Sequence, residues 1–157
     1  MKFASSAAVL SLAGLVAASS LNIPRQNCPE ATRFGVLSVS PTDTPLNPGD
    51  NFNVNVDFNC GMNNFGIVPK FLDYTIVVPA PNNNGHEQPI VLARRTLAAG
   101  ATADTFTAQV PHGFYFKGAQ YSLLLTNNYP IKGTDGSEVI VQGGIYAGLN
   151  LNTTDGL

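Results

Sequence analysis

Charged residues are scarce in this chain. Asp, Glu, Lys and Arg make up 11% of its 157 residues, against about 25% in an average soluble domain. The densest basic stretch is the pair Arg94–Arg95, which is too short to follow a phosphate backbone, so the sequence predicts no nucleic-acid partner. Tryptophan is absent. Its absence argues against a flat tryptophan platform for polysaccharide, although tyrosine could take that place.

Long hydrophobic runs are also absent, except near the start of the chain. Lys2 precedes an apolar run at residues 7–18, which closes on small residues at 17–20. This three-part pattern is typical of a secretory signal peptide, and the run is shorter than the roughly 20 residues that a membrane helix needs. We therefore predict a signal peptide at residues 1–20, a secreted, extracellular product and no membrane attachment.

Cysteine occurs only twice, as Cys28 and Cys60. In the oxidising environment of a secreted protein, an even pair of cysteines predicts a disulfide. The chain-entropy model gives a loop of this length about 3–4 kcal/mol of stabilisation. Two free thiols or a metal site are the alternatives, but two cysteines without a neighbouring histidine make a poor zinc site.

The region after residue 20 shows no helical periodicity. It consists of short runs of β-branched and aromatic residues separated by turn residues, and at residues 51–59 apolar and polar side chains alternate strictly. Further strands are predicted at residues 34–40, 71–78, 89–96, 105–110, 119–126 and 137–151. The last is one long strand or two, broken at Gly143–Gly144, where a bulge is expected. About seven antiparallel strands predict an all-β chain, with one immunoglobulin-like or fibronectin-like two-sheet sandwich over residues 21–157 and short N- and C-terminal tails.

Tyr121 has two interpretations within such a sandwich. The segment at residues 118–126 resembles the penultimate strand of immunoglobulin-like domains, which carries the tyrosine corner. Tyr121 would then be the corner residue. The alternative is an ordinary core aromatic residue.

Catalytic and metal-binding motifs are not apparent in the sequence. It contains no nucleophile elbow, phosphate loop or zinc-protease helix. His86 and His112 lie in turn-like segments and are interpreted as solvated histidines, and Asp73, inside an apolar strand, as a structural carboxylate. We predict no catalytic residues, no metal site, no cofactor and no enzyme activity. A small hydrolase built on these three residues is the enzyme alternative.

One sugar acceptor is present, because Asn152 begins the sequence Asn-Thr-Thr. In a secreted chain, this motif predicts N-linked glycosylation at Asn152.

The order of several segments resembles a known family. These segments are Phe-Gly-Val-Leu-Ser-Val-Ser at residues 34–40, Asn-Pro-Gly-Asp-Asn-Phe-Asn-Val at 47–54 and Gly-Ala-Gln-Tyr-Ser-Leu at 118–123. Together with the signal peptide, they resemble the necrosis-inducing secreted protein family of small fungal effectors. The resemblance implies a non-enzymatic protein that suppresses host immune signalling by binding host proteins, such as receptor-type kinases or their cytoplasmic partners. It assigns no individual residue.

A cell-wall or carbohydrate-binding module is the rival hypothesis. Tyr115, Tyr129 and Tyr146 would then stack on sugar rings. For either function, the expected binding surfaces are the loops at residues 61–70, 79–89 and 127–136, of which the first and third carry Phe65 and Tyr129. We expect the protein to be a monomer.

Overall fold

The computed structural model describes residues 27–83 and 87–153. The predicted signal peptide at residues 1–20 and the residue His86 lie outside this part of the chain. Within it, the strands are β1 (Val36–Ser40), β2 (Asn51–Asp57), β3 (Phe71–Val77), β4 (Ile90–Arg95), β5 (Ala103–Gln109), β6 (Ser122–Lys132) and β7 (Glu138–Gly148). A short helix α1 (Asn59–Phe65) follows β2, and a single 3₁₀ turn (Glu30–Thr32) precedes β1.

The strands form two antiparallel sheets in the orders β1–β2–β5 and β4–β3–β6–β7. The prediction of an all-β sandwich is confirmed. In the immunoglobulin constant type, the fourth strand joins the sheet of the first, second and fifth strands. Here the fourth strand, β4, pairs with β3 instead. The strand order is therefore the fibronectin-like form of the sandwich.

The core lies between the two sheets and follows from the alternation in β2. Phe52, Val54 and Val56 are almost completely buried, while the intervening asparagines face outward. Two of those asparagines accept hydrogen bonds from threonine hydroxyls of β5, Asn55 from Thr105 at 2.8 Å and Asn53 from Thr107 at 2.9 Å. One face of the strand thus supplies apolar burial, and the other ties β2 to β5.

Helix α1 corrects the expectation of a loop at residues 61–70 and of a fold without helices. Asp57, which precedes the N-cap residue Phe58, accepts a hydrogen bond on Oδ1 from the Asn59 N–H at 2.7 Å, and Gly66 ends the helix with a left-handed φ of 67°. The Ile67 N–H donates to the Gly61 carbonyl at 2.9 Å and closes the C-terminal end of the helix. The helix was not predicted because seven residues are too few to show a helical period and Asn and Gly are poor helix formers.

Two further predictions along β6 and β7 are wrong. The expected loop at residues 127–136 is mostly strand, because β6 continues to Lys132 and pairs with β7 as far as Glu138. The expected bulge at Gly143–Gly144 is absent, since the β6–β7 register runs through both glycines without a shift. The register shift among the described strand pairs lies instead between β3 and β4, at Tyr74/Thr75.

The backbone at Gly143 leaves no room for a side chain, because the Phe34 ring packs against it. A Cβ added there would lie 2.2 Å from ring carbons of Phe34. Changing Gly143→Ala is therefore expected to displace that ring and lower the free energy of unfolding by about 1–3 kcal/mol. Gly148→Ala on the same strand is the control, because no atom lies within 4 Å of its added Cβ. Urea denaturation measures both, and equal stabilities of the two variants would contradict this packing.

Candidate binding surface

A hydrogen-bonded loop joins β5 to β6. Residues 111–121 form this segment, called here the aromatic loop. The Tyr121 hydroxyl accepts a hydrogen bond from the Phe116 N–H at 2.9 Å and donates one to Glu87 Oε1 at 2.7 Å. The hydroxyl of Tyr115 donates to the Pro111 carbonyl at 2.9 Å. A tyrosine just before the penultimate strand that bonds to backbone five residues upstream has the geometry of a tyrosine corner, which decides between the two interpretations of Tyr121.

The two tyrosine rings make the base of the aromatic loop rigid. Tyr115 and Tyr121 are buried, at 1% and 6% exposure, and their rings pack edge to face with centroids 5.3 Å apart. The loop backbone is closed by two further turns, in which the Gly113 N–H donates to the Pro111 carbonyl and the Ala119 N–H to the Phe116 carbonyl. Buried rings and short backbone bonds together fix the path of the loop.

The side chains of Phe114 and Phe116 point toward solvent. They are 67% and 51% exposed, on either side of buried Tyr115. Neither phenylalanine was predicted as a binding residue; the expected residues were three tyrosines. The available signal was a run of three aromatic residues between Gly113 and Gly118 in a segment too rich in turns to be a strand.

A cleft of about 490 Å³ adjoins the aromatic loop. Beside the cleft, Asn82 Nδ2 donates a hydrogen bond to Gln120 Oε1 at 3.2 Å. Asn83 and Glu87 bond to each other twice, through the Asn83 side chain and the Glu87 backbone, at 2.7 and 3.1 Å. The cleft is lined by Val78, Asn82, Asn83, Glu87, Phe116, Lys117, Gly118 and Ala119. Its walls combine one aromatic side chain with amides and charges.

Burial gives the aromatic loop a dependence on alkaline pH. Burial and the hydrogen bond to Glu87 raise the pKa of Tyr121 to about 12, above about 10 for an unfolded tyrosine. The folded state thus holds this proton more tightly than the unfolded state does. The resulting stability is complete below about pH 10 and is lost as the pH rises through 12.

We expect the free energy of unfolding to fall between pH 10 and 12, and to fall less in a Tyr121→Phe variant. Urea denaturation at several pH values measures this difference. Burial also raises the pKa values of Tyr115 and Tyr74, so part of the pH dependence remains in the variant. Identical pH dependence in the two proteins would contradict the assignment to Tyr121.

The structure brings together the predicted pair of cysteines. Cys28 and Cys60 form the predicted disulfide, with Cα atoms 5.5 Å apart. Asn152 is exposed, and its Nδ2 donates to Asn47 Oδ1 at 2.9 Å. His112 is an exposed loop residue next to Gly49.

The tyrosines proposed for sugar stacking do not share a surface. Tyr115 is buried, which rules it out for that role. Tyr129 is half-buried and packs against Phe34 with centroids 6.1 Å apart, while Tyr146 is 58% exposed on β7. Phe65, expected in a binding loop, is half-buried on α1 beneath the Arg33 guanidinium.

Asp73 has the structural role expected of it. The Arg94 guanidinium donates to both of its carboxylate oxygens, at 2.6 and 3.0 Å, and Asn128 donates to it as well. These hydrogen bonds, above all those from Arg94, lower the pKa of the Asp73 carboxyl. Among the described residues, no group of three or more His, Cys, Asp or Glu side chains could hold a metal ion.

Comparison of the chain with family models, curated proteins and solved structures returned no match. None of the helices in the described part of the chain has the length and hydrophobicity that a membrane span requires.

Proposed function

We propose that this protein is a secreted, non-catalytic binding protein and that the aromatic loop is its contact surface. The observation that carries the proposal is the pair of exposed phenylalanines, Phe114 and Phe116, on a loop anchored by buried Tyr115 and Tyr121. The disulfide between Cys28 and Cys60 agrees with an extracellular location, because such bonds persist in oxidising compartments.

Anchoring matters because it reduces the entropic cost of binding. A mobile loop loses conformational entropy when a partner fixes it, whereas a loop already held by its own hydrogen bonds loses less. Burying one phenylalanine contributes about 1.5–3 kcal/mol. Two such side chains on a fixed backbone have the character of interface anchors, which dominate the affinity of protein complexes.

A host protein is the partner we propose, with receptor-type kinases and their cytoplasmic partners as first candidates. The resemblance of residues 34–40, 47–54 and 118–123 to necrosis-inducing secreted effectors supports this choice. The last of these segments overlaps the aromatic loop, so one of the three segments lies beside the exposed phenylalanines. In this account, the protein interferes with host immune signalling by occupying a partner surface.

A binding screen tests the proposal. The secreted protein is immobilised, and the ectodomains and kinase domains of host receptor-type kinases are passed over it. We expect saturable binding to at least one of them at micromolar concentration or below. No binding to any would contradict the host-kinase proposal.

Carbohydrate binding is the second candidate function, and the cleft beside Phe116 is the observation that favours it. Aromatic faces and amide side chains are the groups that hold sugars, and Asn82, Asn83 and Gln120 supply the amides here. Co-sedimentation with insoluble chitin, glucan and cellulose discriminates between the candidates. Binding to one of these polymers that is lost in Phe116→Ser would favour the second candidate, and binding to none would remove it.

A further inference from the structure

Three of the four sheet edges carry features that discourage pairing with another chain. Strand β1 is five residues long and is followed by Pro41. Strand β4 has a register shift against β3 and carries Arg94 and Arg95. Strand β5 points the charged side chain of Asp104 inward. Short length, proline, irregular register and inward charge are the usual protections of an edge strand.

Strand β7 has none of these protections. It is 11 residues long, contains no Lys, Arg or Pro, and pairs with β6 in an unbroken register. Strand β1 contacts β7, but none of the described backbone hydrogen bonds joins the two. Just past the end of β7, Leu46 covers the same edge by bonding to the backbone of Asn150 and Asn152, so the open part of the edge is β7 itself. A long, regular, unprotected edge is a ready template for another strand.

The hydrogen-bond pattern shows which residues of β7 face outward. The Leu149 N–H donates to the Tyr121 carbonyl at 3.1 Å, and this pair continues the β6–β7 register. Hydrogen-bonded pairs alternate along an antiparallel ladder. The odd-numbered residues of β7 therefore bond to β6, and the even-numbered residues from Glu138 to Gly148 present their N–H and C=O groups to the open edge.

We propose that two copies of this chain pair through β7, antiparallel and centred on Gly143, so that the two four-stranded sheets become one continuous sheet. This register places Ile140 of one copy opposite Tyr146 of the other, twice, and engages every outward-facing residue of the strand. Both side chains lie on the outer face of the sheet and are exposed in the single chain, at 41% and 58%.

A second copy of the chain fits this edge because β7 is complementary to itself in this register. A twofold interface must be its own complement, and in the register centred on Gly143 apolar residues meet apolar residues on both faces. Val141 lies opposite Ile145, as Ile140 lies opposite Tyr146. Pairs of aromatic and β-branched side chains across antiparallel strands are stabilising. The proposed dimer differs from the monomer expected from the sequence alone.

Sedimentation velocity over a range from nanomolar to high micromolar protein tests the proposal. Wild type is expected to shift from monomer to dimer as concentration rises. Ile140→Lys should weaken the dimer at least about tenfold, because it places a charge opposite Tyr146. Ile131→Lys is the matched control, since Ile131 is similarly exposed, at 46%, and lies on β6 of the same hairpin. A wild-type protein that stays monomeric throughout would overturn the proposal.

A proline variant and hydrogen exchange locate the contact. Gln142→Pro removes an outward N–H without removing a bond to β6 and should abolish the dimer, whereas Gln142→Ala should keep it. In wild type, the amides of Ile140, Gln142 and Tyr146 should exchange more slowly as concentration rises, while those of Val141 and Ile145 should not change. A dimer that tolerates Gln142→Pro and Ile140→Lys would lie elsewhere and would overturn the pairing through β7.

Discussion

Replacing Arg95 by Met is expected to lower the free energy of unfolding by about 3–5 kcal/mol. Arg95 donates two hydrogen bonds to the Asp104 carboxylate, at 2.8 and 2.9 Å, and Asp104 is only 6% exposed. The Tyr74 hydroxyl donates to the same carboxylate at 2.9 Å. Of these two partners, only the neutral Tyr74 hydroxyl would still donate to the Asp104 carboxylate without Arg95. An uncompensated buried charge is strongly destabilising.

This cluster also joins the two sheets at one side of the sandwich. Arg95 and Tyr74 belong to the sheet of β4 and β3, while Asp104 belongs to β5 of the other sheet. The Arg95 guanidinium lies 4.5 Å from the centre of the Phe106 ring, also on β5. The expected loss therefore includes contacts between sheets as well as the ion pair.

The neighbouring arginine provides a matched control. Arg94 makes the same two-pronged bond to Asp73, but its side chain is 69% exposed. Exposed ion pairs contribute roughly 0–1 kcal/mol, so Arg94→Met should cost less than about 1 kcal/mol. Urea denaturation of the two variants measures the difference. Equal losses would contradict the assignment of Arg95 as the partner that neutralises the buried Asp104 carboxylate.

Removing the disulfide is the second large effect. Replacing Cys28 and Cys60 together by Ser is expected to lower the free energy of unfolding by about 3–4 kcal/mol, since the bond closes a loop with a sequence separation of 32 residues. Cys60 lies in α1, and a Cβ on its neighbour Gly61 would come 2.7 Å from the Arg33 carbonyl. The bond therefore links two segments, before β1 and in α1, whose backbones already lie close together.

The control for this prediction is the wild-type protein unfolded in the presence of a reductant. Its free energy of unfolding should approach that of the double variant, because both lack the cross-link. Mass spectrometry after alkylation without reduction should find no free thiol in the secreted protein. A double variant as stable as the oxidised wild type would contradict the contribution given to this bond.

The strands of this fold were predictable where burial is one-sided. In β2, polar and apolar side chains alternate because one face meets the core and the other meets water, and the pattern appears directly in residues 51–57. The end of β6 escaped prediction because residues such as Asn127 and Pro130 favour turns in isolation. Pairing with β7 along the whole hairpin overrides that local preference.

The candidate surface was harder to predict than the fold. Whether an aromatic side chain in a loop faces inward or outward depends on contacts that the local sequence does not contain. Tyr115 is buried because its ring meets Tyr121, while Phe114 and Phe116 on either side are exposed. The buried Asp104 was missed for a similar reason, since its partners Arg95 and Tyr74 come from other strands.

The dissociation constant of the Phe114→Ser/Phe116→Ser variant tests the central claim most directly. It is compared with that of wild type for the host kinase that the binding screen identifies. We predict a loss of at least about 100-fold, because two interface anchors are removed. The matched control is Val68→Ser/Ile131→Ser, which removes similarly exposed apolar side chains at the opposite end of the sandwich and should bind like wild type. Unchanged affinity of the phenylalanine variant, or an equal loss in the control, would contradict the assignment of the aromatic loop as the binding surface.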